Sequence, residues 1–165
     1  MKKILLYFFY FFSSITLFAF DYLPKIFIGQ IEVSLGMSRK EIVSFFGEPD
    51  SYKIDTESVN EEYTSVRMDY SKKELLFYYN KGDEKIHTIK AQNDFSLFLD
   101  NGCIISSNTS IQELQQLFPK IYKISDISYV VSFDNKDRTI ITDDIYFYFD
   151  LDRKLERIII TNDYY

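Results

Sequence analysis

Catalytic chemistry in this chain would have to centre on His87, which is its only histidine. Nucleophilic catalysis by serine or cysteine needs an adjacent base, and that base is most often an imidazole. His87 falls in a predicted strand close to a turn, and the matching position of a second, similar segment is Glu156. Because the second segment does without a histidine, the sequence predicts a structural His87 and a protein that is not an enzyme.

Two acidic clusters, Asp143-Asp144 and Asp150-Leu151-Asp152, are the candidates for a metal site. A calcium-binding EF-hand loop requires acidic ligands at alternating positions, a central glycine and a terminal bidentate glutamate. Only fragments of this pattern are present, so we predict that these aspartates are turn residues and that the protein binds no metal. The five glycines are scattered singly and form no phosphate-binding loop, so no cofactor is predicted.

The chain is internally repetitive. Ser38–Gly47 (SRKEIVSFFG) and Ser110–Pro119 (SIQELQQLFP) share one pattern, 72 residues apart. Leu75–Asn80 (LLFYYN) returns as Ile145–Asp150 (IYFYFD), 70 residues apart. Since the order of the similar segments is kept and their spacing hardly changes, the sequence predicts two tandem copies of one small unit.

Each copy contains a short helix that is recognisable by its caps. Ser38 and Glu41 form an S-x-x-E capping box, in which each side chain can bind the backbone N–H of the other residue. Ser110 and Glu113 repeat it, and an apolar stripe at i, i+3 and i+4 follows both boxes. Gly47 is predicted to end the first helix. Each helix is shorter than three turns, so it must pack on a sheet to be stable.

Alternating apolar and polar residues predict the strands. They are expected at Ile26–Val33, Val66–Tyr70, Leu75–Tyr79 and Ile86–Ala91 in the first copy, and at Leu97–Ser106, Tyr129–Phe133, Ile145–Phe149 and Leu155–Thr161 in the second. The polar segments Asp55–Glu62 and Asp134–Arg138 are predicted to be loops. The predicted fold class is therefore α+β, with two tandem β-α-β-β-β units at 21–94 and 95–165, each a short helix on an antiparallel meander sheet.

A candidate binding surface follows from the alternation within the repeated strand. The phenylalanines of this strand share the face that must pack on the helix, so the residues between them are expected on the opposite, open face. These residues are Leu76, Tyr78, Tyr146 and Tyr148. Tyrosine is enriched in binding hot spots, because it buries a large area with few rotatable bonds. Exposed strands also favour tyrosine for sheet stability alone, and that structural explanation stays open.

Residues 1–20 are predicted to be a signal peptide. Two lysines precede the apolar stretch Ile4–Phe12, and small or polar residues follow it. Cleavage is expected after Ala19, although Leu17 at the −3 position is larger than the residue usually found there. The sequence predicts a periplasmic or secreted protein. The alternative is an uncleaved N-terminal anchor, in which case the protein meets a membrane only through residues 1–20.

The charge balance narrows the choice of partner. Removing the two lysines of residues 1–20 leaves 17 basic side chains against 25 acidic ones, a net charge of −8. An acidic chain is repelled by nucleic acid and by anionic membrane surfaces, so neither is a predicted partner. Cys103 is the only cysteine, which rules out a disulfide within one chain. It is expected to be a buried, inert strand residue, and the alternative is a partner in an intermolecular disulfide.

The first helix and its flanks carry a family resemblance. Leu35–Ile42 (LGMSRKEI) and the following Phe46–Asp50 (FGEPD) resemble a recurring bacterial pattern, G-M-S/T-x-x-E/Q-V/I and then G-x-P. The pattern is similar to that of small outer-membrane lipoproteins of the SmpA/OmlA type, which assist β-barrel assembly. It also resembles the β-lactamase-inhibitor-protein fold, whose two tandem helix-plus-sheet units form a concave binding face. The chain lacks a cysteine for lipidation and is duplicated, so the resemblance implies the tandem, inhibitor-like layout without implying inhibitor activity.

Together these patterns predict an exported, non-enzymatic module that binds another protein, of unknown identity, through an open, tyrosine-bearing sheet face. The alternative is a structural or assembly factor of the cell envelope that is held by an uncleaved N-terminal anchor.

Overall fold

The computed structural model describes residues 23–56, 63–134 and 142–162. Within these ranges the chain forms twelve strands and two short α-helices. In chain order they are β1 (Lys25–Ile28), β2 (Ile31–Val33), α1 (Arg39–Phe46), β3 (Ser51–Thr56), β4 (Ser65–Tyr70), β5 (Leu75–Asn80), β6 (Ile86–Gln92), β7 (Ser96–Phe98), β8 (Ile104–Ser106), α2 (Ile111–Leu117), β9 (Tyr122–Ser125), β10 (Ser128–Asp134), β11 (Thr142–Phe149) and β12 (Leu155–Asn162). The predicted signal peptide at 1–20 lies outside the described residues.

Eight strands form one antiparallel sheet in the order β3-β4-β5-β6-β12-β11-β10-β9. Two four-strand meanders, β3 to β6 and β9 to β12, supply its halves and join where β6 pairs with β12. At this junction Ile160 lies opposite Ile89, and Ile158 lies opposite Ala91. All four side chains are buried. The meanders therefore share one continuous sheet, whereas the sequence predicted a separate sheet for each unit.

A second, smaller sheet has the order β2-β1-β7-β8, with β1 and β7 paired antiparallel at its centre. The sequence predicted one strand before each helix, at Ile26–Val33 and Leu97–Ser106. Each of these segments is instead two short strands around a turn, and the first turn contains Gly29 with a φ of +59°. The uninterrupted-strand prediction is wrong because the turn residues lie inside the apolar run.

Both helices begin at the predicted capping boxes. The Ser38 hydroxyl accepts from the backbone N–H of Glu41, and the Glu41 carboxylate accepts from the N–H of Ser38 at 2.8 Å. Ser110 and Glu113 make the same pair of bonds, with the carboxylate contact at 2.7 Å. Because each box satisfies N–H groups that a short helix cannot bond internally, two helices of only eight and seven residues have fixed starting points.

The core lies on one face of the eight-stranded sheet. The ring of Phe46 in α1 packs 5.6 Å from that of Phe77, and Phe118, after α2, packs 6.0 Å from Phe147. The smaller sheet adds its own buried side chains, such as Leu97, to the same hydrophobic cluster. Both helices and the smaller sheet thus cover one face of the large sheet, and the fold is α+β with antiparallel sheet predominating.

The order of elements recurs along the chain. Both β1 to β6 with α1 and β7 to β12 with α2 run β-β-α-β-β-β-β, apart from a 3₁₀ turn, Ser71–Lys73, between β4 and β5. Isolated bridges recur as well, since Ser38 pairs with Lys85 and Ser110 pairs with Lys154. The observed order differs from the predicted β-α-β-β-β by an extra strand on each side of the helix.

Two of the extra strands, β3 and β9, form the edges of the large sheet. Both contain the sequence Tyr-Lys-Ile, at Tyr52-Lys53-Ile54 and at Tyr122-Lys123-Ile124. The tyrosines and isoleucines of both strands are at least 40% exposed.

The predicted loop Asp55–Glu62 begins inside β3, and the predicted loop Asp134–Arg138 begins at the end of β10. Residues 57–62 and 135–138 lie outside the described residues.

Some polar residues also differ from prediction. Asp143 and Asp144 are strand residues of β11 rather than turn residues, and Asp144 is 8% exposed. Asp150 does form a turn, since its carboxylate accepts from the backbone N–H of Lys154 at 2.8 Å. Cys103 is a free, half-buried thiol that precedes β8, so its prediction as a buried strand residue is wrong. Among the described residues, no helix is both long and apolar enough to cross a bilayer.

Candidate functional site

The four predicted contact residues lie on β5 and β11, on the face of the large sheet opposite the core. We call this the outer face. Along β5 the residues alternate strictly between buried and half-buried, and Leu76 and Tyr78 are the half-buried ones. Tyr146 and Tyr148 are half-buried in the same way on β11. The predicted alternation is therefore confirmed, while the side chains are neither sealed in the core nor fully exposed.

The strand register brings two of these residues into one row across the sheet. Leu76 lies opposite Lys90 on β6, Lys90 lies opposite Ile159 on β12, and Ile159 lies opposite Tyr146. Val130 on β10 continues the row beyond Tyr146. Directly opposed side chains in a sheet have their Cβ atoms about 5 Å apart, so the row is a continuous surface. It is apolar except for the Tyr146 hydroxyl and the Lys90 ammonium group.

On one side of this row, Tyr78 is paired with a cation. Arg67 on β4 lies directly opposite Tyr78, and one of its terminal nitrogens is 3.9 Å from the Asp55 carboxylate. Burial raises the pKa of Tyr78, and the adjacent Arg67 guanidinium opposes that rise. The phenol is therefore neutral at physiological pH and keeps its O–H as a hydrogen-bond donor.

On the other side of the row, Tyr148 is paired with a cation in the second meander. Arg157 on β12 lies opposite Tyr148, and its guanidinium carbon is 4.4 Å from the centre of the tyrosine ring. Such a cation–π contact holds the guanidinium in place while leaving its outward N–H groups available. The Nε of Arg157 is buried and has no hydrogen-bond partner among the described residues. The outer face thus carries two tyrosine–arginine pairs on either side of the central row.

A hydrogen bond between threonines joins the two halves of the outer face. The hydroxyls of Thr88 on β6 and Thr161 on β12 are 2.8 Å apart, and the two residues lie opposite each other in the register. Because they sit at the junction of the meanders, they tie together the surfaces that carry Tyr78 and Tyr148.

His87 lies at the edge of this face, where β5 and β6 shift register. Its Nε2 is 3.2 Å from the Ser65 hydroxyl, and its Nδ1 is 3.0 Å from the Thr88 hydroxyl. Burial lowers the pKa of His87, which favours the neutral imidazole. Both ring nitrogens are engaged by hydroxyls, and no carboxylate bonds to either nitrogen among the described residues. The arrangement lacks the third group that orients a catalytic imidazole.

A cavity of about 650 Å³ lies beside His87, between the first helix region and the junction of the sheet. Its lining is mixed in polarity and includes Leu35, Asp83 and His87. Its lining also includes Leu23, Tyr63, Asp143 and Asn162. None of the four predicted contact residues lines this cavity, so the outer face is the candidate binding site.

Sequence reasoning missed the cations of the outer face. Arg67, Lys90 and Arg157 each alternate with buried residues of their strands, so the rule that located the tyrosines also locates them. Their proximity was not predictable in the same way. It requires the β6–β12 pairing, which joins residues of different predicted units.

Comparison with known protein families, with characterised proteins and with solved structures finds no match to this chain.

Proposed function

We propose that this protein is an exported, non-enzymatic module that binds another protein through the outer face of its eight-stranded sheet. The observation that carries the proposal is the composition of that face. Tyrosines, aliphatic side chains and half-buried cations form a continuous row with flanking pairs, while the described helices and the smaller sheet all contribute to the core on the opposite side. Aromatic and arginine side chains in such mixed surfaces are the residues that dominate protein–protein binding energies.

The dimensions of the face suit a protein partner. Eight strands spaced about 4.8 Å apart span about 34 Å, and the seven of them that have six to eight residues extend about 22 Å. The resulting area of about 750 Å² is close to the roughly 800 Å² that each partner buries in a standard-size complex. A small metabolite would contact only a fraction of this surface.

We further propose that the protein arose by duplication of one unit of about seventy residues. The recurring element order, the paired capping boxes and the equivalent bridges at Ser38 and Ser110 support it. This layout is what the resemblance to the β-lactamase-inhibitor-protein fold implies. Under the duplication, Leu76 and Tyr78 correspond to Tyr146 and Tyr148, so each unit contributes half of the binding face.

The test is to replace Tyr146 and Tyr148 with alanine together and to measure partner capture from the native cell envelope. We expect capture to fall at least about tenfold, as for loss of hot-spot side chains. The melting temperature should fall by no more than about 5 °C, because both side chains are already half-exposed. The matched control is Tyr52→Ala, since this exposed tyrosine lies opposite the buried Met68 and therefore on the other side of the sheet. Unchanged capture, or collapse of the fold, would refute the proposal.

The alternative function, an envelope assembly factor held by residues 1–20, is favoured by one sequence feature, the large Leu17 at the −3 position of the expected cleavage site. Mass spectrometry of the N-terminus of the native protein separates the two. A chain that begins at Phe20 or Asp21 excludes the anchor.

A further inference from the structure

Two cations in the middle of the outer face have no partner carboxylate. Lys90 on β6 and Arg157 on β12 are diagonal neighbours in the register, since Lys90 lies opposite Ile159 and Arg157 lies opposite Gln92. Diagonal neighbours across a sheet are about 7–8 Å apart. Neither cation forms an ion pair with any residue in the described part of the chain, although the protein as a whole carries a net charge of −6.

The acidic groups of the face are already committed or distant. Asp55 lies 3.9 Å from Arg67, and Asp69 lies 3.9 Å from Lys53. Asp144 lies on β11, two strands away from Lys90 and one step along, which strand geometry places about 12 Å away. At that separation solvent ions screen most of the attraction. Glu156 accepts a hydrogen bond from Gln92, which lies opposite Arg157, and Asp55 acts on Lys90 only through space. No carboxylate of the described residues forms an ion pair with Lys90 or Arg157.

Both side chains also pay an electrostatic cost in the unbound protein. Burial lowers the pKa of Lys90, the positive charges of Arg157 and Arg67 lower it further, and Asp55 opposes the shift. The Nε of Arg157 is buried without a hydrogen-bond partner among the described residues. An arriving anion would relieve the repulsion between Lys90 and the neighbouring cation Arg157.

We propose that Lys90 and Arg157 receive the carboxylates of an acidic segment on the partner protein. The inference rests on the proposed protein-binding function and names the chemistry of the partner. Side chains at i and i+2 of an extended segment are about 7 Å apart, which matches the spacing of Lys90 and Arg157. Leu76, Ile159 and Tyr146 adjoin the cations, so the segment also carries apolar side chains. Nucleic acid has no aliphatic side chains to place on Leu76 and Ile159, so a protein segment fits this surface better.

A random twelve-residue peptide library displayed on phage serves as the probe for the immobilised protein. We expect the enriched peptides to combine Asp or Glu with apolar residues. Their binding should weaken at least tenfold in Lys90→Gln/Arg157→Gln and should weaken as sodium chloride is raised. The control is Lys40→Gln/Lys120→Gln, which removes the same charge at two exposed lysines elsewhere and should bind like the unmodified protein.

The other outcomes each refute the inference in a distinct way. In one outcome, the enriched peptides lack acidic residues and yet fail to bind Tyr146→Ala/Tyr148→Ala. That result would support the proposed protein-binding function and would refute the inference that the partner segment is acidic. Peptides that bind all variants equally, or no enrichment at all, would count against both. Sedimentation of a dimer that dissociates in Lys90→Gln/Arg157→Gln would identify a second copy as the occupant. Retention on phosphatidylserine vesicles, lost in the same variant, would identify a membrane instead.

Discussion

Two adjacent isoleucines in the central strand β12 offer a direct test of the register of the large sheet. Ile158 points into the core and is 0% exposed, whereas Ile159 points to the outer face and is half-buried. The substitutions Ile158→Ala and Ile159→Ala make the same chemical change one residue apart. Because successive strand residues alternate between faces, a one-residue error in the register would exchange their environments.

The expected magnitudes differ severalfold. Truncating a buried isoleucine to alanine costs about 2–5 kcal/mol, because a cavity remains where the side chain was. For Ile158, which lies opposite Ala91 and Phe147, we expect a loss of about 3.5 kcal/mol in the free energy of unfolding. The three carbons removed from Ile159 would be worth about 2.4 kcal/mol if fully buried. Because Ile159 is half-exposed, we expect Ile159→Ala to lower the free energy of unfolding by only about 1 kcal/mol, since the substitution leaves little cavity.

Urea unfolding at 25 °C, followed by circular dichroism, measures both values. The dependence of the unfolding free energy on urea should be the same in both variants, since the surface exposed on unfolding hardly changes. In thermal scans the melting temperature should fall by about 10 °C for Ile158→Ala and by about 3 °C for Ile159→Ala. Equal losses, or a larger loss for Ile159→Ala, would show that the outer face has been assigned to the wrong side of the sheet.

Two further predictions concern local structure. Ser38→Ala and Ser110→Ala each remove the acceptor of a helix N-cap and should lower the free energy of unfolding by about 1 kcal/mol; urea curves that coincide with the unmodified protein would contradict the capping geometry. Burial lowers the pKa of His87 below the ordinary value of 6.5, so the unfolded chain binds more protons and the protein loses stability as the pH falls through 6.5. His87→Gln should remove that part of the loss, and an NMR titration that places the pKa at or above 6.5 would overturn this reasoning.

Local patterns in the sequence predicted the elements that depend on neighbouring residues. The capping boxes at Ser38 and Ser110 located both helix starts, because the chemistry of a cap is complete within four residues. The alternation in Leu75–Asn80 located the outer face for the same reason, since the period of a strand requires no knowledge of its partner.

Features that depend on distant residues were not predictable. The strands β3 and β9 were not predicted, although their Tyr-Lys-Ile segments alternate between apolar and polar residues. Both are edge strands whose tyrosine and isoleucine stay exposed, so only their pairing with residues of other strands makes them part of the sheet. The junction of the meanders was missed because no local pattern records which strand lies beside β6. The proximity of Lys90 and Arg157 could therefore not be predicted, although each residue belonged to a correctly predicted strand.

The position of β12 has a consequence for the timing of folding. This strand occupies the middle of the large sheet, yet it is the last strand described along the chain, and the bonded pair Thr88 and Thr161 is separated by 73 residues. Closing so long a loop is slow, because its entropy must be lost before any contact is formed. Until Leu155–Asn162 has emerged from the ribosome, β6 and β11 both lack the strand that lies between them. The large sheet therefore cannot be completed before these residues are available.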